Sequence, residues 1–165
     1  MPGGDLAENC AQKLNVGLTL NKSIKKVRLS FCLYKIEILK IILPGLCDNK
    51  NLEEIDLSAN NMNDEYRYQI NKLIQSHQES KDELIWQYGL RNETPPIDDM
   101  KSLKRLILSH NNLTVKTIHQ ISRSIKNDIH LRELNLRAND LDEEAVTELN
   151  ETLKENWVLF NLDLR

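Results

Sequence analysis

The chain lacks both a large excess of charge and a long uninterrupted apolar run. Its 22 lysines and arginines nearly balance 25 aspartates and glutamates, leaving a formal net charge of −3. Such a balance creates no broad field of one sign, so nucleic acid and anionic membranes are disfavoured as partners. The longest apolar run, Ile36 to Leu46, is interrupted by charged residues and a proline, and no segment approaches the ~20 apolar residues of a membrane-spanning helix. The N-terminus has no basic start followed by an apolar stretch, so we expect no leader peptide.

Cysteine is scarce as well. The three cysteines, Cys10, Cys32 and Cys47, form no close pair in the sequence, which argues against a disulfide framework and against a zinc knuckle. This usage favours a reducing, cytoplasmic compartment.

Motifs for catalysis are also missing. There is no glycine-rich phosphate loop, no His-Glu-x-x-His helix and no serine or cysteine nucleophile motif. The neighbouring Asp98 and Asp99 would point apart in an extended chain, so they make no catalytic dyad. We therefore predict no enzymatic activity, no cofactor and no metal ion. The histidines are spread over different repeats, at His77, His110, His119 and His130.

What the chain does contain is one recurring pattern, Leu-x-x-Leu-x-Leu-x-x-Asn-x-Leu, present four times and begun a fifth. The starts are separated by 28, 51, 28 and 28 residues, and 51 is one period plus an insertion of 23 residues at about 77–99. A single apolar alternation fits any strand, but five in register at one period are typical of a leucine-rich repeat solenoid. The patterns occupy residues 24–34, 52–62, 103–113, 131–141 and 159–164.

Each pattern predicts a short strand, because its alternating apolar residues face inward while the residues between them face the concave surface. The remainder of each period predicts a helix on the convex side. We therefore expect one α/β domain over residues 1–165, a solenoid with a curved parallel sheet inside and helices outside. Pro44 departs from a regular helix in the first period. The predicted helices span residues 35–47, 65–76, 116–126 and 143–155, and a further helix at 5–14 precedes the first strand.

The ninth position of each pattern predicts a structural ladder. An asparagine there places its side-chain amide where it can bond backbone groups that the end of the strand leaves unpaired. Cysteine takes this place in the first pattern, so that residue is interpreted as structural rather than reactive. The ladder consists of Cys32, Asn60, Asn111 and Asn139.

The third position of each pattern predicts a row of charges across the concave face. The signs alternate, and opposite charges on adjacent strands stabilise a sheet by roughly 0.2–1 kcal/mol per pair. We therefore expect the charges of the concave face to pair with one another. A moderately polar protein-binding face is the alternative, with Arg105, Asn135 and Arg137 as its candidates. The row consists of Lys26, Glu54, Arg105, Glu133 and Asn161.

The insertion is the least repetitive segment. Residues 79–90 extend the pattern of the preceding helix, and Pro95-Pro96 ends any helix. Trp86, Tyr88 and Arg91 are of the residue types enriched at binding hot spots. Two interpretations are open: the aromatic side chains hold the insertion on the solenoid, or they contact a partner protein.

The 28-residue period is that of the ribonuclease-inhibitor-like class of leucine-rich repeats. From His77 to Leu113, a His-x-Glu start leads to Trp86, a Tyr-x-Leu-Arg element at 88–91, acidic residues and Met100. This segment resembles the N-terminal repeat domain of the family of the centrosomal protein of 78 kDa, and Leu-Asn-Lys-Ser at 20–23 is similar as well. The resemblance implies a non-enzymatic scaffold at the centriole or ciliary basal body, in centrosome organisation and cilium formation. It also implies centriolar or ubiquitin-ligase components as partners.

Two other functions use the same class of repeats. A regulator of a small GTPase, similar to Ran GTPase-activating proteins, is the main alternative, although the chain lacks their long acidic tail. A ribonuclease inhibitor is the third, but it would favour an acidic concave face and many cysteines.

The chain begins in a helix and stops within the fifth pattern. Because the terminal coils of a solenoid normally carry polar caps, we expect a piece of a longer solenoid whose uncovered ends favour self-association.

Overall fold

The computed structural model describes residues 7–33, 35–96 and 102–165, and within these ranges helices and short strands alternate. The short 3-10 helix Asp64–Tyr66 leads directly into the third α-helix. The α-helices are α1 (Glu8–Leu20), α2 (Ile36–Asp48), α3 (Arg67–Gly89), α4 (Val115–Ile125) and α5 (Glu143–Glu155). The strands are β1 (Lys26–Arg28), β2 (Glu54–Asp56), β3 (Arg105–Ile107), β4 (Glu133–Asn135) and β5 (Asn161–Asp163).

The five strands form one parallel sheet in chain order, each lying beside the strand of the next period. The register places equivalent pattern positions opposite each other, including Glu54 opposite Arg105 across the insertion. The 23 extra residues therefore leave the stacking of the coils undisturbed. The predicted leucine-rich repeat solenoid is confirmed.

The core is a continuous layer between the sheet and the helices. The central residue of each inner strand points into this layer and is almost fully buried, because alternate side chains of a strand face opposite sides. Each helix contributes apolar residues at helical spacing to the same layer. The strand residues are Ile55, Leu106 and Leu134, and the helix residues include Ile42, Leu46, Ile70, Leu73, Ile118, Ile121 and Leu149.

Two helices differ from their sequence-based boundaries. α1 runs on to Leu20, six residues past the predicted end, because Leu18 is buried in the core. α2 includes Pro44, which departs from a regular helical sequence; the proline is exposed, so its ring lies on the solvent side of the helix. The predicted segments 65–76 and 79–90 form one helix, α3, of 23 residues. Residues 97–101, with Asp98, Asp99 and Met100, lie outside the described ranges.

The turn after each of the strands β1 to β4 uses a left-handed residue. The φ angles of Phe31, Ala59, His110 and Ala138 lie between 53° and 58°, a conformation that costs a non-glycine residue roughly 1–2 kcal/mol. All four precede a member of the structural ladder by one residue. The turn thus brings the ladder side chain back towards the strand end, and the hydrogen bonds made there offset its cost.

Asn111 bridges two coils with one side chain. Its Oδ1 accepts hydrogen bonds from the backbone N–H groups of Asn60 and Met62, both at 3.0 Å. Its Nδ2 donates to the carbonyl oxygens of Leu57 at 3.2 Å and Leu108 at 2.9 Å. Asn111 is only 5% exposed, so no water can replace these bonds without opening the stack.

The same arrangement recurs in the neighbouring coils. The Oδ1 of Asn60 accepts from the N–H of Cys32 at 2.8 Å, and the Oδ1 of Asn139 accepts from the N–H of Leu113 at 3.1 Å. Cys32 bonds within its own coil, its Sγ donating to the carbonyl oxygen of Ser30 at 3.1 Å. β1 is the edge strand of the described sheet, so a thiol suffices at this position.

A second polar ladder, which the sequence pattern did not reveal, lies just before the strands. The side-chain amide of Asn49 donates to the carbonyl oxygens of Leu18 at 2.8 Å and Asn21 at 3.1 Å, joining the end of α1 to the next coil. Asn156 repeats this contact with the carbonyl oxygen of Asp128 at 3.1 Å. The residues of this second ladder recur at the same 28-residue spacing. One of them is an aspartate, so the residue type does not repeat along the ladder.

We expect Asn111→Ala to lower the free energy of unfolding by roughly 1–3 kcal/mol, because the N–H groups of Asn60 and Met62 lose their acceptor in the interior. Asn139→Ala acts in the same direction. Denaturant unfolding measures both. Asn112→Ala is the matched control, since this exposed neighbour bonds only the side chain of Asn61 with its own side chain. Equal midpoints for Asn111→Ala and Asn112→Ala would contradict the role of the ladder.

Candidate protein-binding surfaces

The concave face is dominated by one buried carboxylate. Glu54 is 4% exposed, and its oxygens lie 3.1 Å from Lys26 Nζ, 3.2 Å from Arg28 Nη2 and 3.4 Å from Arg105 Nη1. Burial disfavours the charged form of Glu54, but the three cations outweigh this cost and hold its pKa below the usual value. The negative charge in the N-terminal part of the concave face is therefore neutralised by cations of the same face.

Arg105 belongs to the same network on its other side. Its Nη2 lies 2.6 Å from Glu133 Oε2, and its Nε donates to that oxygen at 2.8 Å. This bidentate contact lowers the pKa of Glu133 and raises that of Arg105. A guanidinium held between two carboxylates is not available to a partner without breaking these pairs, so Arg105 has a structural role in the free protein.

Asn135 and Arg137 lie on the C-terminal part of the face. The Oδ1 of Asn135 accepts from the N–H of Arg137 at 3.0 Å, and the side chain of Arg137 is exposed without an ion pair in the described ranges. A cavity of ≈ 240 Å³ lies here, with Ile107, Asn135 and Asp163 in its wall. This volume is below the roughly 300–1,000 Å³ of small-molecule sites and is suited to one or two side chains of a protein.

The N-terminal half of α3 is fixed in the core. Ile70, Leu73 and Ile74 are at most 2% exposed. His77, on the next turn, is also 2% exposed, and its Nε2 donates to the carbonyl oxygen of Leu46 at 2.9 Å. Burial lowers the pKa of His77 to about 4, so the ring is neutral at physiological pH.

Burial in α3 ends at Lys81, and we call the part that follows His77, together with the capping residue Leu90, distal α3 (residues 78–90). Its half-buried residues include Leu84 and Tyr88 on one face, and neither belongs to the core cluster. The opposite face carries Trp86, which is 64% exposed, and one turn later Leu90, which is 66% exposed. Distal α3 therefore presents an apolar pair to solvent on a helix that is anchored at its other end.

The three candidates of the insertion are not brought together. Trp86 and Tyr88 are two residues apart, so the helix turns their side chains ~200° away from each other. Arg91 lies in the exposed turn after the helix. A ring that is 64% exposed does not hold the insertion on the solenoid, so for Trp86 the geometry favours contact with a partner, which stays a prediction. The sequence analysis did not identify Leu90 as a candidate. Its i, i+4 spacing from Trp86, which places both side chains on the same face of a helix, could have indicated it.

Two other kinds of site find no support in the described part of the chain. No helix there combines the length and apolar character that crossing a membrane requires. No three histidine, cysteine, aspartate or glutamate side chains within those ranges lie close enough to hold a metal ion.

Comparison with known sequences places this geometry among leucine-rich repeats. The family described as Leucine Rich Repeat matches residues 102–124. The chain is 27% identical over 161 residues to the mouse centrosomal protein of 78 kDa, covering 97% of this chain and 20% of that protein. It is 29% identical over 149 residues to the human protein of that name, covering 88% of this chain and 22% of the relative. The resemblance seen in the sequence is confirmed, and the chain spans about a fifth of the length of these relatives.

Comparison with solved structures establishes the fold. The chain matches the solved structure of actin-binding site 2 of leiomodin-1 with a TM-score of 0.70 and 18% identity, covering 93% of this chain and 78% of that one. It matches the tropomodulin C-terminal domain of Caenorhabditis elegans with a TM-score of 0.71 and 15% identity, covering 94% and 82%. At these identities the likeness concerns the arrangement of strands and helices alone.

We expect the anchor of α3 to make stability depend on pH. Unfolded His77 binds a proton near its ordinary pKa of 6.5 and folded His77 only near 4, so its contribution is complete above 6.5 and is lost as pH falls towards 4. Between pH 8 and pH 5 this amounts to about 2 kcal/mol. His77→Gln keeps a donor for Leu46 but does not titrate. When the pH is lowered from 8 to 5, the free energy of unfolding of the variant should therefore fall by about 2 kcal/mol less than that of the wild type, as measured by denaturant unfolding. Equal pH dependence in both proteins would show that His77 is not buried in its neutral form.

Proposed function

We propose that the chain is a non-enzymatic protein-interaction scaffold at the centrosome, and that distal α3 supplies a principal contact. The exposed Trp86 and Leu90 on a helix fixed by the core carry this proposal, because a rigid, solvent-facing tryptophan is a typical binding anchor. The centrosomal relatives support the location.

The use of the charged groups supports binding rather than catalysis. Glu54, Arg105 and Glu133 satisfy one another on the concave face. Asp64 accepts hydrogen bonds from the hydroxyls of Thr114 at 2.7 Å and Thr117 at 2.6 Å, which ties the start of α3 to α4. These groups with shifted pKa values pair with one another or with hydroxyl groups, and so stabilise the stack.

The finer role follows from the resemblance. We propose a site of action at the centriole or ciliary basal body, a role in cilium formation, and centriolar or ubiquitin-ligase components as partners. Self-association stays a prediction that light scattering tests. The alternative of a small-GTPase regulator stays a prediction, and a stimulated GTP-hydrolysis assay discriminates between the two functions.

We expect Trp86→Ala to remove partner binding without loss of folding. An exposed substitution changes the free energy of unfolding by less than about 0.5 kcal/mol, whereas truncating a binding anchor costs about 2 kcal/mol or more, roughly 30-fold in affinity. The measurement is proximity labelling by the tagged chain in a ciliated cell, together with a thermal melt. Centrosomal proteins should be labelled by the wild type and depleted several-fold for the variant.

Tyr68→Ala is the matched control for this experiment. Tyr68 is a 60% exposed aromatic residue on the same helix, near its anchored end, and stacks with Arg67 at 4.6 Å. Labelling should be unchanged in this variant. If Trp86→Ala unfolds the chain, or leaves centrosomal labelling equal to that of Tyr68→Ala, Trp86 is not the anchor.

A further inference from the structure

The exposed face of distal α3 combines two apolar side chains with three carboxylates. At ~100° of rotation per residue, its five members fall within an arc of ~100° on one side of the helix. All five are exposed. The face, which we call the acidic-apolar face, consists of Glu79, Asp82, Glu83, Trp86 and Leu90.

The carboxylates of this face are not neutralised by cations of the solenoid. In the described ranges Glu79 has no ion pair, and Glu83 accepts a hydrogen bond only from the neutral amide of Gln87, at 3.1 Å. Asp82 lies 3.5 Å from His130 Nε2, which is a long contact to a ring that is itself buried. This contrasts with the concave face, where Glu54 is surrounded by three cations.

From this arrangement we infer that distal α3 docks a basic amphipathic helix of another protein. The inference rests on the proposed function and adds the chemistry of its partner. Apolar residues of such a helix would cover Trp86 and Leu90, and its lysines and arginines would lie opposite the three carboxylates at the rim. Charges at a rim guide association and select the partner, while the apolar centre supplies affinity.

The same charges disfavour the other occupants of an exposed apolar face. Nucleic acid and anionic membranes are repelled by three carboxylates that flank the apolar pair. A second copy docked through the same face with the two helices parallel would set carboxylates against carboxylates. A basic helix is the occupant that satisfies both the apolar pair and its rim.

Two synthetic helical peptides test the inference. Both carry leucines at the same i, i+3, i+4 and i+7 positions, and one has lysine where the other has glutamate. In a Trp157→Phe background, Trp86 is the single tryptophan and its fluorescence reports docking. The basic peptide should bind with a blue shift that weakens as salt is raised, and the acidic peptide should bind at least about tenfold more weakly.

Charge variants distinguish an effect of the rim carboxylates from a general effect of the protein's net charge. Glu79→Gln with Glu83→Gln should weaken the basic peptide about fivefold at low ionic strength, as expected for two exposed pairs. Glu144→Gln with Glu151→Gln changes two exposed carboxylates of α5 and should leave binding unchanged. Equal binding of the two peptides, or equal effects of the two double variants, would overturn the inference.

Failure of the basic-helix inference can be distinguished from failure of the proposed scaffold function. If Trp86→Ala removes centrosomal labelling but the peptides bind alike, the scaffold function stands and the basic-helix partner is wrong. If the basic peptide is selected but labelling does not depend on Trp86, the docking face stands and the centrosomal role of this contact is wrong.

Discussion

The stack of coils depends on side-chain amides that bond the backbone of two coils at once. Each strand has only three residues, and in the following turn some backbone groups, such as the N–H groups of Asn60 and Met62, bond a side-chain amide instead of another backbone group. Asn111 satisfies four of these groups, and Asn49 and Asn156 do the same on the other side of the strands. Because Asn111 makes these bonds to the coil on the other side of the insertion, the two coils keep their register although 23 extra residues lie between them.

The sequence was informative wherever the period repeats. Alternating leucines predicted the strands, and the equivalent third position of the pattern aligned Glu54 with Arg105, although the insertion sets them 51 residues apart. The helix ends were less predictable, since α1 ends where Leu18 is buried in the core, which no local signal marks. The second polar ladder was not predicted because Asp128 takes the place of an asparagine, and its Oδ1 accepts from the N–H groups of His130 and Leu131.

The candidate site was harder to predict because it lies in the one segment without a repeat. Trp86 was identified by its residue type, but its direction depends on the phase of a continuous helix anchored by Ile70, Leu73 and His77. That phase turns Trp86 and Leu90 to solvent and Tyr88 away from them. Arg105 on the concave face is also of a residue type enriched at binding sites, but its guanidinium already pairs with the two neighbouring carboxylates. Exposure and partners, not residue type, separate the two surfaces.

The central claim is that a partner sits on distal α3 and not on the concave face. Site-specific photocrosslinking in cells tests it most directly, with a photoreactive phenylalanine analogue placed at position 86 in one protein and at position 107, beside Asn135, in another. The account predicts a covalent adduct with a centrosomal protein from position 86 and none from position 107. An adduct from position 107 alone would place the partner in the concave face and contradict the account.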